Sequence, residues 1–107
     1  RCRSNERIIY SVSTDINHLE YDGNGDWIGI QEYVTVTSSG TWTRSLIDTA
    51  GDGTSWVLAA LPSSGSSGQI CTPTIQSGYA GTDRQCTLRF TVGTATADVT
   101  ITQYGFV

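Results

Sequence analysis

Residues 85–92, Gln85-Cys86-Thr87-Leu88-Arg89-Phe90-Thr91-Val92, set Cys86, Leu88, Phe90 and Val92 at every second position. Side chains alternate across an extended strand, so this spacing predicts a strand with one apolar face turned to a core. Val99 and Ile101 repeat the pattern within 97–103. Working outward, further strands are expected at 8–12, 19–21, 31–37, 41–46, 56–61 and 69–76. In 31–37 Val34 and Val36 take one face, and Tyr33, Thr35 and Thr37 the other. Turn chemistry separates these runs: DGNGD at 22–26, SSG at 38–40 and AGDGT at 50–54. PSSGSSG at 62–68 reads as a surface loop, because strands flank it and neither half is long enough to fold alone. No segment carries helical spacing. Short strands at roughly ten-residue spacing indicate an all-β sandwich or a small barrel.

Composition supports one domain. The chain has 107 residues, enough for one modest core. Only 15% are charged, against about 25% in ordinary globular domains. Three tryptophans and the Ile/Val/Leu runs are too many for a disordered chain. Lysine is absent, and Arg1, Arg3 and Arg7 crowd the start. From Ile8 onward three arginines face nine carboxylates, a balance of −6. Such a surface repels phosphate backbones, so neither nucleic acid nor an anionic membrane face is an expected partner. No apolar run is long enough for a transmembrane helix, so membrane insertion is not expected. The absence of any methionine suggests a processed product or a piece of a longer protein.

Chemistry-bearing residues are few. Trp42 and Trp56 occupy strand positions where a sandwich needs large core groups. Trp27 follows the DGNGD turn and Tyr79 lies in an SGYAG turn. If both project from one end they form the best candidate ligand patch, with Asp22, Asn24 and Asp26 beside them; capping of the core edge is the competing reading. The spacing of Asp22, Asn24 and Asp26 matches the first half of a calcium loop. However, Trp27 stands where that loop needs its glycine, and Tyr33 where it needs its final glutamate. A polar hairpin turn uses the same residue types, so no metal or other cofactor is expected. His18 has no Gly-x-Ser-x-Gly elbow to serve, and a sandwich this small offers little concavity for a carboxylate pair, so an enzyme is not expected.

Cysteine use is ambiguous. Cys2 lies in the polar, basic terminus. Cys71 and Cys86 fall on the inward parity of two strands expected to form a hairpin. A two-residue turn at Gly78-Tyr79 sets them opposite each other as a possible disulfide, whereas a longer loop through 80–83 slides them out of bonding geometry. Two buried free thiols are the preferred reading and a bond the alternative. With no Cys/His cluster, zinc is not supported.

The order of features resembles the BACON domain, a Bacteroidetes-associated module often found beside carbohydrate-active enzymes. The resemblance rests on Leu19-Glu20-Tyr21, on the Val-rich strand leading to Trp42, and on Trp56 followed by the Ser/Gly loop. Arg84-Gln85-Cys86-Thr87-Leu88 and the closing Val99-Thr100-Ile101-Thr102-Gln103-Tyr104-Gly105 complete it. It spans 19–105. Cys86 departs from the usual small residue, and Ser77-Gly78-Tyr79 replaces an Asn-bearing turn. The resemblance implies an immunoglobulin-like antiparallel β-sandwich of seven or eight strands over 8–107, after a flexible segment 1–7. It further implies an extracellular or cell-surface setting in a Bacteroidetes bacterium, or alternatively a phage virion. Adhesion through host or dietary glycans or mucin is the implied role, and a spacer or decoration domain contacting other domains of the same chain is the alternative.

Overall fold

The computed structural model describes residues 9–106. Cys2, the expected flexible segment 1–7 and the start of the first expected strand at Ile8 lie outside them. Ten strands form: β1 (Val12–Thr14), β2 (His18–Tyr21), β3 (Trp27–Ile28), β4 (Val34–Ser38), β5 (Trp42–Ile47), β6 (Val57–Leu61), β7 (Ser64–Gly65), β8 (Ile70–Ile75), β9 (Arg84–Val92) and β10 (Ala95–Gln103). One sheet has the order β1-β4-β8-β6 and the other β3-β2-β10-β9-β5-β7. Their packing is an immunoglobulin-like sandwich, in which the first sheet corresponds to A-B-E-D and β10-β9-β5 to G-F-C. Among the described residues there is no helix, and so none long and apolar enough to cross a membrane.

The expected strand count of seven or eight is corrected to ten. The two additions are β3 and β7, each two residues long, which carry no readable alternation. Within the 62–68 segment, Ser64–Gly65 pairs with β5, Trp42 opposite Gly65. Gly65 is required there, because a Cβ would sit 2.6 Å from the Trp42 ring. The sheets are not wholly antiparallel, since β2 runs parallel to β10 with His18 beside Thr100 and Tyr21 beside Gln103. The first strand also starts later than expected, at Val12.

The alternation reading of the core holds. Cys86, Leu88, Phe90, Val92, Val99 and Ile101 are buried, as are Val34 and Val36. Trp42 and Trp56 are both core residues, and Trp42 meets Phe90 edge-on with ring centroids 5.2 Å apart. The Trp42 indole N–H donates to the Ser66 carbonyl at 2.9 Å, and that of Trp56 to Gly53 at 3.0 Å. Each ring is thereby buried without stranding its donor.

Between β1 and β2 the chain crosses from one sheet to the other. Asp15 fixes the crossing: its carboxylate accepts from the Thr35 N–H at 2.8 Å and from Gln31 Nε2 at 2.9 Å. Burial pushes this carboxyl up, but the bonds from Gln31 and Thr35 outweigh it and hold the group below its ordinary value.

Phe90→Ala removes a fully buried ring from β9, in the middle of the larger sheet. The expected cost is about 3–5 kcal/mol, read as a fall in the urea midpoint with the slope unchanged.

Candidate functional site

The turn at 22–26 joins β2 to β3 and is built by Asp22. Its Oδ1 accepts from the N–H of Asn24 at 2.9 Å and of Asp26 at 3.0 Å, while its carbonyl accepts from Gly25 at 2.9 Å. Gly25 has φ +82°, and a Cβ there would lie 2.5 Å from the Ile75 carbonyl, so only glycine fits. One of the two Asp22 carboxylate oxygens is thus spent on the turn. Asn24 and Asp26 keep exposed side chains.

Trp27 leaves this turn on β3, the outermost strand of its sheet, paired with Tyr21. Its partner Tyr21 is buried, yet Trp27 at the sheet edge is 42% exposed. Ile28 pairs with Glu20 on the opposite face and is 41% exposed, and Ile30 beyond it is 92% exposed. A narrow cleft of about 50 Å³ runs here, lined by Ile16, Leu19, Glu20, Ile28, Ile30 and Gln31. That is room for a few waters, not for an enclosed sugar ring. Sequence reading missed Ile28 and Ile30. Their Ile-Gly-Ile spacing was visible, but only the β3 edge position leaves both uncovered.

Tyr79 stands differently. Its N–H donates to the Gly23 carbonyl at 2.9 Å, its carbonyl accepts from Phe106 at 3.1 Å, and its hydroxyl donates to the Thr82 carbonyl. The Arg84 guanidinium covers its ring at 3.6 Å from the centroid, and the same guanidinium lies 4.9 Å from the Trp56 ring centroid. Trp27 and Tyr79 therefore border the same turn, but the Tyr79 ring is engaged internally while Trp27 is half-free.

Behind them lies Gln103, fully buried at the end of β10. Its Nε2 donates to the Asp22 carbonyl at 3.0 Å and to the Gln76 carbonyl at 2.7 Å. Its Oε1 accepts from Arg84 Nε at 3.0 Å and Nη2 at 2.7 Å. Gln103→Leu strands the Gln76 carbonyl and removes both Arg84 bonds to Oε1, while the Asp22 carbonyl keeps the Gly25 N–H and the guanidinium keeps Gln76 Oε1. A loss of about 2–3 kcal/mol in chemical denaturation is expected.

Cys71 and Cys86 do not face each other across a hairpin. β8 pairs with β4 and β6, whereas β9 pairs with β10 and β5, so the cysteines belong to different sheets. The segment between these strands passes from one sheet to the other instead of turning tightly. Both thiols are free and buried. Burial pushes each up to about 11, and the Cys71 S–H points at the Pro62 carbonyl at 3.6 Å. Since the thiolate is the reactive form, neither is poised for chemistry at neutral pH. In a Cys2→Ser background, Ellman's reagent should stay colourless on the native protein and titrate two thiols in denaturant. A disulfide would give none in denaturant.

Among the described residues, no group of three or more His, Cys, Asp or Glu side chains is placed to hold a metal ion. No protein-family model matches the sequence, and no curated protein matches it. Among solved structures, the fold is similar to part of a Bacteroides ovatus GH5 xyloglucanase in complex with a XXXG heptasaccharide. The TM-score is 0.68 at 16% identity, over 92% of this chain and 19% of that one. The likeness is one of fold, and the chain spans about a fifth of that protein.

Proposed function

We propose that the chain is a non-catalytic, surface-exposed module that recognises glycan or mucin through the β3 edge. The observation that carries this reading is Trp27, half-exposed on an edge strand directly after a turn that presents Asn24 and Asp26. A tryptophan face stacks on the apolar face of a sugar ring, and neighbouring amide and carboxylate oxygens bond its hydroxyls. A site of this kind is an open platform, in keeping with a cleft too small to enclose a ring. The BACON-like order of features and the fold-likeness to part of a glycoside hydrolase support a carbohydrate-related setting. On this reading the module is displayed outside a Bacteroidetes cell or on a phage virion, beside other domains of its parent chain.

A second reading, a spacer or decoration domain, is favoured by a separate observation. One oxygen of the Asp22 carboxylate and the Tyr79 ring, parts of two members of the expected patch, are engaged inside the fold.

Affinity electrophoresis in xyloglucan and mucin, with a glycan array, separates the two. Wild type should be retained, and Trp27→Ala should weaken retention at least tenfold, about 1.4 kcal/mol. Because Trp27 is an edge residue, its thermal midpoint should move little. A wild type that binds no glycan leaves the spacer reading in place, and a Trp27→Ala protein that binds as well overturns the β3 edge as the site.

A further inference from the structure

Carboxylates gather around the β3 edge. Between Ile8 and Thr43 the chain carries Asp15, Glu20, Asp22, Asp26 and Glu32 but no arginine or lysine. Five of the nine carboxylates from Ile8 onward thus fall in and beside the stretch that builds β2 and β3. Folding draws them about Trp27. Asp26 precedes it in the chain, and Asp22 closes the turn behind it. Glu20 stands opposite Ile28, and Tyr21 opposite Trp27. Glu32 lies near the Tyr21 hydroxyl, which burial and then this carboxylate push above its ordinary value. Asp15 holds Gln31, on the wall of the cleft.

No arginine answers them among the described residues. Arg89 pairs with Asp98 at 2.8 Å, on β9 and β10. Arg44 lies on β5, three strands along the sheet from β2, and its Nε donates to the Ala60 carbonyl at 2.7 Å. Arg84 reaches the turn only through Gln103, with its guanidinium held by Gln103 and Gln76 and laid over the Tyr79 ring. His18 bonds the Asn17 side chain at 2.9 Å, at the opposite end of β2 from Tyr21.

We propose that the β3 edge takes neutral glycans and turns away those that carry carboxylate, sulfate or phosphate groups. The inference deepens the glycan reading above and rests on it. Recognition of an anionic sugar takes arginine or lysine donors, which this edge lacks. A sialate, uronate or sulfate on Trp27 would instead meet fixed charges of its own sign. Paired and successive backbone positions are about 4–6 Å apart, inside the Debye length of about 8 Å at physiological salt, so this repulsion is felt. A neutral sugar meets none of it, and its hydroxyls donate to the Asp26 carboxylate in charge-assisted bonds. One set of side chains therefore attracts the first class and repels the second, which is how a site separates two ligands of the same shape. Glu20 and Glu32 act by field alone.

Isothermal titration calorimetry on the full chain tests the proposal with xyloglucan, its carboxymethyl derivative and its hydroxyethyl derivative, which matches the added bulk without charge. The neutral polymers should bind at least tenfold more tightly than the carboxymethyl form. In 1 M salt the Debye length falls to about 3 Å, so the gap should narrow severalfold. Glu20→Gln/Glu32→Gln keeps an acceptor for the Tyr104 hydroxyl while deleting two charges. It should bind neutral xyloglucan as wild type does and recover at least threefold on the carboxymethyl form. Mucin stripped of sialate and sulfate should bind more tightly than untreated mucin. Equal affinity for carboxymethyl and hydroxyethyl xyloglucan, or a gap that neither salt nor the double substitution moves, would overturn the selectivity and leave the glycan reading standing. Binding to none of these polymers overturns both.

Discussion

The buried carboxamide of Gln103 is the point through which one end of this sandwich is held closed. Its donors reach Asp22, just after β2 in one sheet, and Gln76, just after β8 in the other, so a single planar group bridges the layers. Apolar packing alone cannot finish a sandwich there, because strands end and leave backbone carbonyls that must be satisfied or wetted. Once Gln103 is committed, the rest follows. Arg84 must present Nε and Nη2 to its oxygen, which places the guanidinium between Trp56 and Tyr79. Tyr79 in turn holds Gly23, and the DGNGD turn is fixed against the β8 end with no space for a side chain at Gly25.

What the sequence made legible is what strand periodicity encodes. Alternation in 85–92 and 97–103 identified the inward faces of β9 and β10, and Val34 and Val36 identified that of β4, because a one-residue shift would have put those side chains in water. Trp42 was readable for the same reason, whereas Trp56 is buried in the turn just before β6, next to buried Val57, where alternation does not apply. Features without a period were not readable. β3 and β7 are two residues each, and a two-residue strand has no alternation to show. The parallel pairing of β2 with β10 joins segments about eighty residues apart and leaves no local trace. The preferred reading of Cys71 and Cys86 as buried free thiols holds, but the hairpin expected of their two strands does not form, because residues 76–83 carry the chain between sheets.

The candidate site was legible to a similar depth. The residue types in DGNGD announced a turn, whereas Trp27, expected on or near a loop, opens the edge strand β3. Nothing in Ser77-Gly78-Tyr79 could show that Arg84 would cover the tyrosine ring, since that contact exists only after β9 is docked against the turn. Solvation decides the difference between the two aromatics. Tyr79 is satisfied at its hydroxyl, its backbone and its face, while Trp27 and Ile30 keep apolar surface in water that the fold does not use. Single exposed apolar residues are ordinary, but Trp27, Ile28 and Ile30 leave theirs in water together along one short edge, on both of its faces.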